Sequence, residues 1–209
     1  FEPSTLVALD NFCREILEIQ KAALAKRLES TDCKHVIVEL SENLNSVLAL
    51  IAATETMALL NLPVNNACAL YLPDKESLET KKQENNLRRL AACLGADFNS
   101  INIQKFCTEH DNITGKLLTR LEDCPYDRPV SDSPLADPET YAAHISKRIR
   151  YALLNNLAQQ KNALLLGSAN MSQNALGLAT WGGDLSALYQ INAGLPFTVV
   201  QQMVKWALK

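Results

Sequence analysis

Residue types that build many binding sites are scarce in this sequence. It contains three histidines and seven glycines, and no glycine precedes Gly95. The six cysteines form no Cys-x-x-C motif and lie at no ligand-like spacing from the histidines, so the sequence predicts no zinc site. Such scattered cysteines are typical of reduced thiols in a cytosolic protein, and they are Cys13, Cys33, Cys68, Cys93, Cys107 and Cys124.

The sequence also lacks a strong charge excess and a long apolar run. It has 20 basic and 23 acidic residues, a net charge of −3, which provides no positive field to recruit nucleic acid. The most apolar window, residues 47–60, is interrupted by Thr54, Glu55 and Thr56 and is too short to span a bilayer. With no signal-peptide pattern, we predict a cytoplasmic protein that binds neither nucleic acid nor membranes.

Length and composition predict a single domain over residues 1–209. The sequence is 47% hydrophobic and 21% charged, which is ordinary for a globular protein, and it is long enough for a substantial core. Because the chain begins with Phe1 and not with Met, we expect it to be a piece of a longer protein.

Hydrophobic periodicity predicts helices that alternate with strands. Within residues 1–30, an amphipathic helix capped by Ser4 is expected to pack on the core or on another subunit, as a dimer interface. Helices are also predicted at 46–61, 79–94 (closed by Gly95), 108–121, 139–159 and 197–208, and strands at 36–40, 66–72, 98–103 and 163–166. Residues 122–138 carry four prolines, which predicts a flexible loop.

This alternation predicts an α/β fold with a doubly wound, mostly parallel, Rossmann-like sheet that has helices on both faces. Ligands of such sheets bind beyond the carboxyl ends of the strands. Two turns would meet there, Ser41–Ser46 and Gly167–Asp184. The first has the strand–turn–helix shape of a phosphate loop. The capping rules favour the alternative, a plain polar helix N-terminus capped by Ser41, Asn43 or Asn45, over a residual anion site.

Both turns carry a resemblance to a known family. The segment LSENLNS at 40–46 resembles the S-G-G-x-D-S loop of the ATP pyrophosphatases. The segments LLLGSANMSQ at 164–173, GLATWGGD at 177–184 and GLPFT at 194–198 resemble the second half of the NAD synthetases. LPDKES at 72–77 and KRIR at 147–150 fall where that family has a serine-rich loop and an arginine-bearing helix, so the similarity extends from about residue 3 to the end.

The resemblance implies an adenine nucleotide alpha-hydrolase-like fold and a ligase reaction. Members of the family use ATP and Mg²⁺ to adenylate the carboxylate of deamido-NAD, and ammonia then displaces AMP. The resemblance also implies a homodimer and, in the full-length chain, an upstream glutaminase domain. Its nucleotide-binding positions correspond here to Ser41, Ser46, Arg148, Ser168, Thr180 and Asp184, which we interpret as a remnant nucleotide site. Arg148 is also compatible with a surface charge, and Asp184 with a turn residue.

The sequence departs from the family pattern in the phosphate loop and at the metal-ligand positions. Glu42 and Asn43 replace the two glycines of the loop, where the backbone must approach phosphates. At about 4 Å, the Glu42 carboxylate would add about 1–4 kcal/mol of repulsion toward a phosphate. Asn45 and Gln173 occupy the two positions of the family's anionic metal ligands, and neutral amides are poor ligands for a hard cation.

Three further substrate-contacting positions are apolar. Trp181 and Phe197 stand where the family has lysines, and Leu188 where it has an aspartate. We expect Trp181 and Phe197 to fill the abandoned pocket. The sequence therefore favours a catalytically degenerate NAD synthetase-like domain with a structural or regulatory role. The alternatives are an active NAD synthetase with altered metal use and a weak nucleotide-binding sensor.

Overall fold

A computed structural model of the chain describes residues 6–121 and 138–208. The loop predicted over 122–138 and the cap predicted at Ser4 lie outside these residues, apart from Pro138, which begins a helix. The helices are α1 (Leu6–Thr31), α2 (Leu44–Leu59), α3 (Leu78–Cys93), α4 (Gln104–Leu121), α5 (Pro138–Lys161), α6 (Met171–Ala175) and α7 (Phe197–Ala207). The strands are β1 (His35–Glu39), β2 (Ala67–Tyr71), β3 (Asp97–Ser100), β4 (Ala163–Gly167) and β5 (Tyr189–Gln190).

The five strands form one parallel sheet in the order β3-β2-β1-β4-β5. Val36 in β1 lies opposite Ala67 of β2 on one side and Leu164 of β4 on the other. The chain runs outward from β1 to β3 and then returns to place β4 beside β1. The strand order therefore reverses between β1 and β4, which is where sheets of this kind bind ligands.

Helices cover both faces of the sheet, so the predicted α/β fold class is confirmed. One apolar core joins α1, α2, α3 and α7 to β1, β2 and β4 through residues such as Leu24, Val38 and Leu50. A smaller core joins α5 to the other face through Ile37, Leu154 and Leu165. Successive residues of β1 and β4 serve opposite cores, which explains why both strands are apolar at every central position.

The predicted elements recur with shifted boundaries. The third strand ends at Ser100 and not at residue 103, and the helix predicted from 108 begins at Gln104. Gly95 has a φ of 72° and follows the last turn of α3, which confirms it as the closing glycine. The short elements α6 and β5 were not predicted, because five and two residues are too few to show a period.

The first helix belongs to the core. Cys13, Leu17, Leu24 and Leu28 of α1 are buried against α2 and its neighbours. Its use as a dimer interface stays a prediction. In the part of the chain that the structure describes, no helix is apolar enough over a sufficient length to cross a membrane.

Candidate functional site

A small polar cavity lies at the reversal point of the sheet, beyond the carboxyl ends of β1 and β4. Its volume is about 150 Å³. It is lined by the end of β1, the following turn, one side of α5, and the loops after β4. The lining residues are Glu39, Ser41, Asn43, Asn45, Lys147, Arg150, Tyr151, Ser168, Ala169, Gln173 and Asp184. The two turns predicted to meet at this edge therefore do meet.

The turn Ser41–Ser46 satisfies its own polar groups. The Ser46 hydroxyl donates to the backbone oxygens of Asn43 at 2.8 Å and Ser41 at 2.9 Å, and its oxygen lies 3.1 Å from the backbone nitrogen of Ser41. The backbone N–H of Asn43 donates to Ser41 Oγ at 3.3 Å. These groups would be the donors to a bound phosphate, and here they are used within the turn.

Asn43 is the N-cap of α2. Its backbone is extended, and its Oδ1 accepts a hydrogen bond from the backbone N–H of Asn45 at 3.0 Å. Of the three caps considered from the sequence, Asn43 is thus the one that the structure uses. The neighbouring Glu42 is exposed, and its Oε1 accepts a weak hydrogen bond from Asn86 at 3.4 Å.

The two amides at the predicted metal-ligand positions bind each other. Asn45 Nδ2 donates to Gln173 Oε1 at 2.9 Å, and Asn45 Oδ1 accepts from Asn170 Nδ2 at 2.9 Å. Asn170 is the N-cap of α6, and its Oδ1 accepts from the backbone N–H of Gln173 at 2.8 Å. Asn45 and Asn170 are 2% and 0% exposed, so this cluster is shielded from water.

A second buried amide extends the network toward α1. Asn192 Nδ2 donates to the backbone oxygens of Asn45 at 2.9 Å and Ser168 at 3.0 Å. Its Oδ1 accepts from Gln20 Nε2 at 3.0 Å. Gln20, Asn192, Asn45, Asn170 and Gln173 therefore form one hydrogen-bonded set, in which Asn192 reaches Asn45 through the backbone oxygen of Asn45, and we call this set the amide network. It ties α1, α2 and α6 together at the carboxyl edge of β4.

The amide network does not fit a magnesium ion. Mg²⁺ prefers anionic oxygen ligands in octahedral geometry, and the cavity offers neutral amides whose facing atoms bond to one another. Among the described residues, no group of three or more histidine, cysteine or carboxylate side chains is placed to hold a metal ion.

Ion pairs occupy the α5 side of the cavity. Arg150 contacts Asp74 at 3.0 Å and Glu39 at 3.7 Å, and its Nε donates to the backbone oxygen of Leu72 at 2.9 Å. Lys147 Nζ lies 3.1 Å from Asp184 Oδ2. Both cations that line the cavity are thus engaged by carboxylates of the same protein, and we call this group the ionic cluster.

Glu39 is the most perturbed acid of the ionic cluster. Burial raises the pKa of its carboxyl above the ordinary value, and the Arg150 guanidinium opposes that shift. A hydrogen bond joins Glu39 to Tyr151, whose own pKa is raised by burial and then by the negative charge of Glu39. The last residue of a central strand therefore places a largely buried carboxylate, with 20% of its side chain exposed, at the cavity wall beside Arg150 and Tyr151.

Gly167 holds the two sides of the site together. A Cβ at this position would overlap the side chain of Gln190, which crosses directly over the end of β4. Gln190 Oε1 accepts from the backbone N–H of Ala169 at 3.1 Å, and its Nε2 donates to the backbone oxygen of Asp184. A larger residue at this position would displace the Gln190 amide from both of these hydrogen bonds.

Comparison with known proteins places the chain in a family. A family model described as NAD synthase matches residues 16–207. The chain belongs to the NAD synthase family. It is 30% identical over its full 209 residues to the glutamine-dependent NAD(+) synthetases of Mycobacterium bovis and Mycobacterium tuberculosis. It spans only 29% of the length of those curated relatives.

Other matches agree with that placement. An NH(3)-dependent NAD(+) synthetase of Helicobacter hepaticus is 28% identical over 174 residues, which cover 81% of this chain and 56% of that protein. The fold matches the ADP complex of the glutamine-dependent NAD+ synthetase of Acinetobacter baumannii, with a TM-score of 0.74 and 19% identity over 94% of this chain and 34% of that one. The NH3-dependent NAD synthetase of Campylobacter jejuni matches with a TM-score of 0.71 and 21% identity, over 94% and 74% of the two chains.

In this NAD synthase-family domain, the predicted site residues are only partly assembled. Ser41, Ser168 and Asp184 line the cavity, and Ser46 supports the turn behind it. Arg148 is exposed and donates to the backbone oxygen of Trp181 at 3.1 Å, outside the cavity.

Thr180 is also absent from the lining residues. It is 3% exposed, and its hydroxyl has no hydrogen-bond partner in the structure. Arg150, which the sequence left open as a surface charge or a remnant of a nucleotide site, lines the cavity together with Lys147 and Tyr151.

The expectation that large apolar residues fill the pocket is wrong. Trp181 is 81% exposed and Phe197 is 39% exposed, and Leu188 is 67% exposed. Two amides of the amide network, Asn45 and Gln173, line the polar cavity instead, and the sequence did not predict the other members, Gln20, Asn170 and Asn192. The one available signal was that Asn192 stands beside Ile191 in an apolar segment, since a lone amide there has to find buried partners.

Proposed function

We propose that this NAD synthase-family domain does not synthesise NAD and serves as a structural or regulatory part of a larger assembly. The observation that carries the proposal is the hydrogen bond between Asn45 and Gln173. A pair of carboxylates in this arrangement would repel each other unless a cation lay between them. The two amides form a hydrogen bond instead, so α2 and α6 are joined at this point without a metal ion.

The charges around the cavity also disfavour a triphosphate. Phosphoryl and adenylyl transfer depend on cations that stabilise negative charge in the transition state. Arg150 and Lys147 are each paired to protein carboxylates, and Glu42 adds an unpaired negative charge at the turn. Because Glu42 is exposed and does not line the cavity, its expected repulsion toward a phosphate about 4 Å away is about 1 kcal/mol, which corresponds to about a fivefold weaker affinity.

An active enzyme with altered metal use is the second candidate. It is supported by the names of the relatives that share 30% identity with the whole chain, and by Ser41, Ser168 and Asp184, which still line the cavity. A weak nucleotide sensor would use the same groups without turnover. In both cases the ligand would have to open the amide network or bind beside it.

The assembly we propose is a cytoplasmic homodimer in which residues 1–209 form one domain downstream of a glutaminase domain. The support for the last element is that the curated relatives are called glutamine-dependent and are more than three times as long, since the chain covers 29% of them. Sequencing the complete gene and measuring the mass of its product in solution test this part.

Isothermal titration separates the three functions. We expect neither ATP–Mg²⁺ nor deamido-NAD to bind measurably, and no AMP to appear when ammonia is added. Binding of ATP without turnover would favour the sensor. Release of AMP together with formation of NAD would disprove the proposal.

A restored variant tests whether the missing glycines and metal ligands are the cause of the proposed loss of ATP binding. Glu42→Gly and Asn43→Gly, combined with Asn45→Asp and Gln173→Glu, return the glycine loop and both metal ligands. We expect ATP affinity to become measurable and to depend on Mg²⁺, because the repulsion is removed and a cation site is created. The matched control carries the two glycines alone and should show no Mg²⁺ dependence. If the fourfold variant folds and still shows no ATP binding, the loss is not local to these residues.

A further inference from the structure

An apolar groove opens next to the amide network, on the side away from the ionic cluster. Its volume is about 510 Å³, and its apolar walls are Leu44 at the start of α2, Leu176 and Leu178 after α6, and Phe197 at the start of α7. The backbone N–H of Met171 donates to the backbone oxygen of Leu195, and the backbone N–H of Phe197 donates to Ser172 Oγ, so α6 is held against the start of α7. The groove is therefore a fixed feature of the fold.

The polar floor of the groove offers little to an anion. The floor consists of Asn45, Asn170 and Gln173, whose amides bond to one another. At the start of α2, the backbone N–H groups of Asn45, Ser46 and Val47 all donate to Asn43. A phosphate or carboxylate would have to break these bonds to find donors.

The charge of the groove favours a cationic partner. Glu42 is the one charged side chain among the described residues that line it. Glu42 is exposed, and the hydrogen bond from Asn86 at 3.4 Å leaves its carboxylate unneutralised. A lysine or arginine set beside an apolar anchor would complement both features.

The walls of the groove suit a polypeptide better than a small molecule. Leu176 is 72% exposed and Leu178 is 60% exposed, so the walls stand in solvent and would not enclose a compact ligand. Small-molecule sites bury most of their ligand, whereas exposed apolar patches of this kind mark protein contacts. We propose that the groove binds a partner protein through a segment that inserts large apolar side chains and places a lysine or arginine next to Glu42.

This inference deepens the proposed function, and rests on it, because it assigns a ligand class to the surface beside the same network. The two are tested separately. ATP–Mg²⁺ titration addresses catalysis, and peptide binding addresses the groove. A chain that binds neither ATP nor peptide would retain the first proposal and lose the second.

The experiment selects peptides from a displayed random 12-residue library on the immobilised full chain and measures the enriched sequences by fluorescence anisotropy. We expect them to combine leucine, phenylalanine or tryptophan anchors with a lysine or arginine. Leu178→Asn should weaken their binding by about tenfold or more, because a buried apolar contact is lost. Glu42→Lys should weaken it by about two- to fivefold and be rescued by a peptide with glutamate in place of its basic residue.

Two matched variants control for effects elsewhere. Leu59→Asn is the control for Leu178→Asn. It changes a half-exposed leucine at the far end of α2, about 22 Å along the helix from Leu44, and should leave the peptide affinity unchanged. Glu15→Lys changes the net charge as Glu42→Lys does, at an exposed position of α1. The proposal is overturned if no peptide is enriched, if the enriched peptides are acidic, or if the groove variants bind the peptides as tightly as the control variants do. It is also overturned if Leu178→Asn converts a dimer to a monomer in sedimentation velocity, because the occupant is then a second copy.

Discussion

Two halves of one cavity meet at the carboxyl edge of the sheet, and they differ in how polarity is balanced. On one side, Asn45, Asn170 and Gln173 carry no charge and satisfy one another. On the other side, Arg150 and Lys147 keep their charges and pair with carboxylates. In both halves the groups that line the cavity pair within the protein, and neither half offers a ligand an unpaired cation.

If the proposed loss of activity is correct, this difference indicates which half limits phosphate chemistry. The ionic cluster contains two cations, Arg150 and Lys147, and three carboxylates, which are Glu39, Asp74 and Asp184. Its formal charge is therefore −1. A bound Mg²⁺ would have to supply the positive charge that this cluster lacks. Under the proposed function, the amide network offers that metal only neutral ligands, and the neutral half would therefore limit phosphate chemistry in the whole cavity.

The largest expected effect comes from returning charge to the neutral half. The double variant Asn45→Asp and Gln173→Glu should lower the free energy of unfolding by about 4 kcal/mol at neutral pH in EDTA, because two nearby carboxylates are then buried without a counterion. The mutual repulsion raises the pKa of the new pair, so the loss should shrink as the pH falls and the pair binds a proton. Urea unfolding over a pH series measures both effects.

Excess Mg²⁺ should recover part of that loss, because a ligand that binds only the folded state stabilises it. The control is Asn174→Asp, an exposed position in the same short helix, which should change stability by no more than about 0.5 kcal/mol. A double variant as stable as the parent in EDTA would mean that the new carboxylates reach water, and that the contrast between the two halves does not set stability.

The sequence was sufficient to locate the cavity and insufficient to describe it. Continuous apolar runs such as Val36–Val38 marked central parallel strands, and the polar residues that follow them marked the ligand edge. The amide network joins Asn45 to Asn192, 147 residues apart along the chain. No local pattern encodes such a partner, since hydrogen bonding between distant amides depends on the completed fold.

The exposure of Trp181 could not be predicted for a related reason. Tryptophan is usually buried to a large extent, and the resemblance placed it next to a pocket. The structure holds the backbone at this point through Arg148 Nε, which donates to the carbonyl of Trp181, and leaves the ring outside. Hydrophobicity predicts burial on average, whereas the direction of a loop side chain is set by contacts of its backbone.

Replacing Asn192, which caps no helix, measures what the amide network contributes to stability apart from helix capping. Asn192→Ala removes the donor to the backbone oxygens of Asn45 and Ser168 and the acceptor for Gln20. The Ser168 oxygen then loses this donor, whereas Gln20 keeps its bond to the backbone oxygen of Ile191 at 3.2 Å, so the free energy of unfolding should fall by about 2 kcal/mol. Chemical denaturation gives the value, and Asn85→Ala at an exposed site in α3 should remain within about 0.5 kcal/mol of the parent.

A loss below about 1 kcal/mol for Asn192→Ala would show that water replaces the amide without cost. The network would then be an incidental arrangement of polar groups, and its contrast with the ionic cluster would be one of composition and not of energy.

The smallest effect concerns the charged half. Burial raises the pKa of Glu39 in the folded chain above its value in the unfolded chain, so between these two values the folded state binds more protons. Its contribution to stability is therefore fully present below the unfolded value, near pH 4, and is lost as the pH rises through the folded value. Glu39→Gln should remove this dependence and flatten the stability profile above pH 4 by about 1 kcal/mol, measured by urea unfolding at successive pH values.

Glu79→Gln, at an exposed position in the first turn of α3, is the control and should leave the profile unchanged. An unchanged profile for Glu39→Gln as well would mean that Arg150, 3.7 Å away, fully offsets the cost of burying the carboxylate. In that case the ionic cluster would be as well balanced as the amide network, and the two halves of the cavity would differ in charge but not in their response to pH.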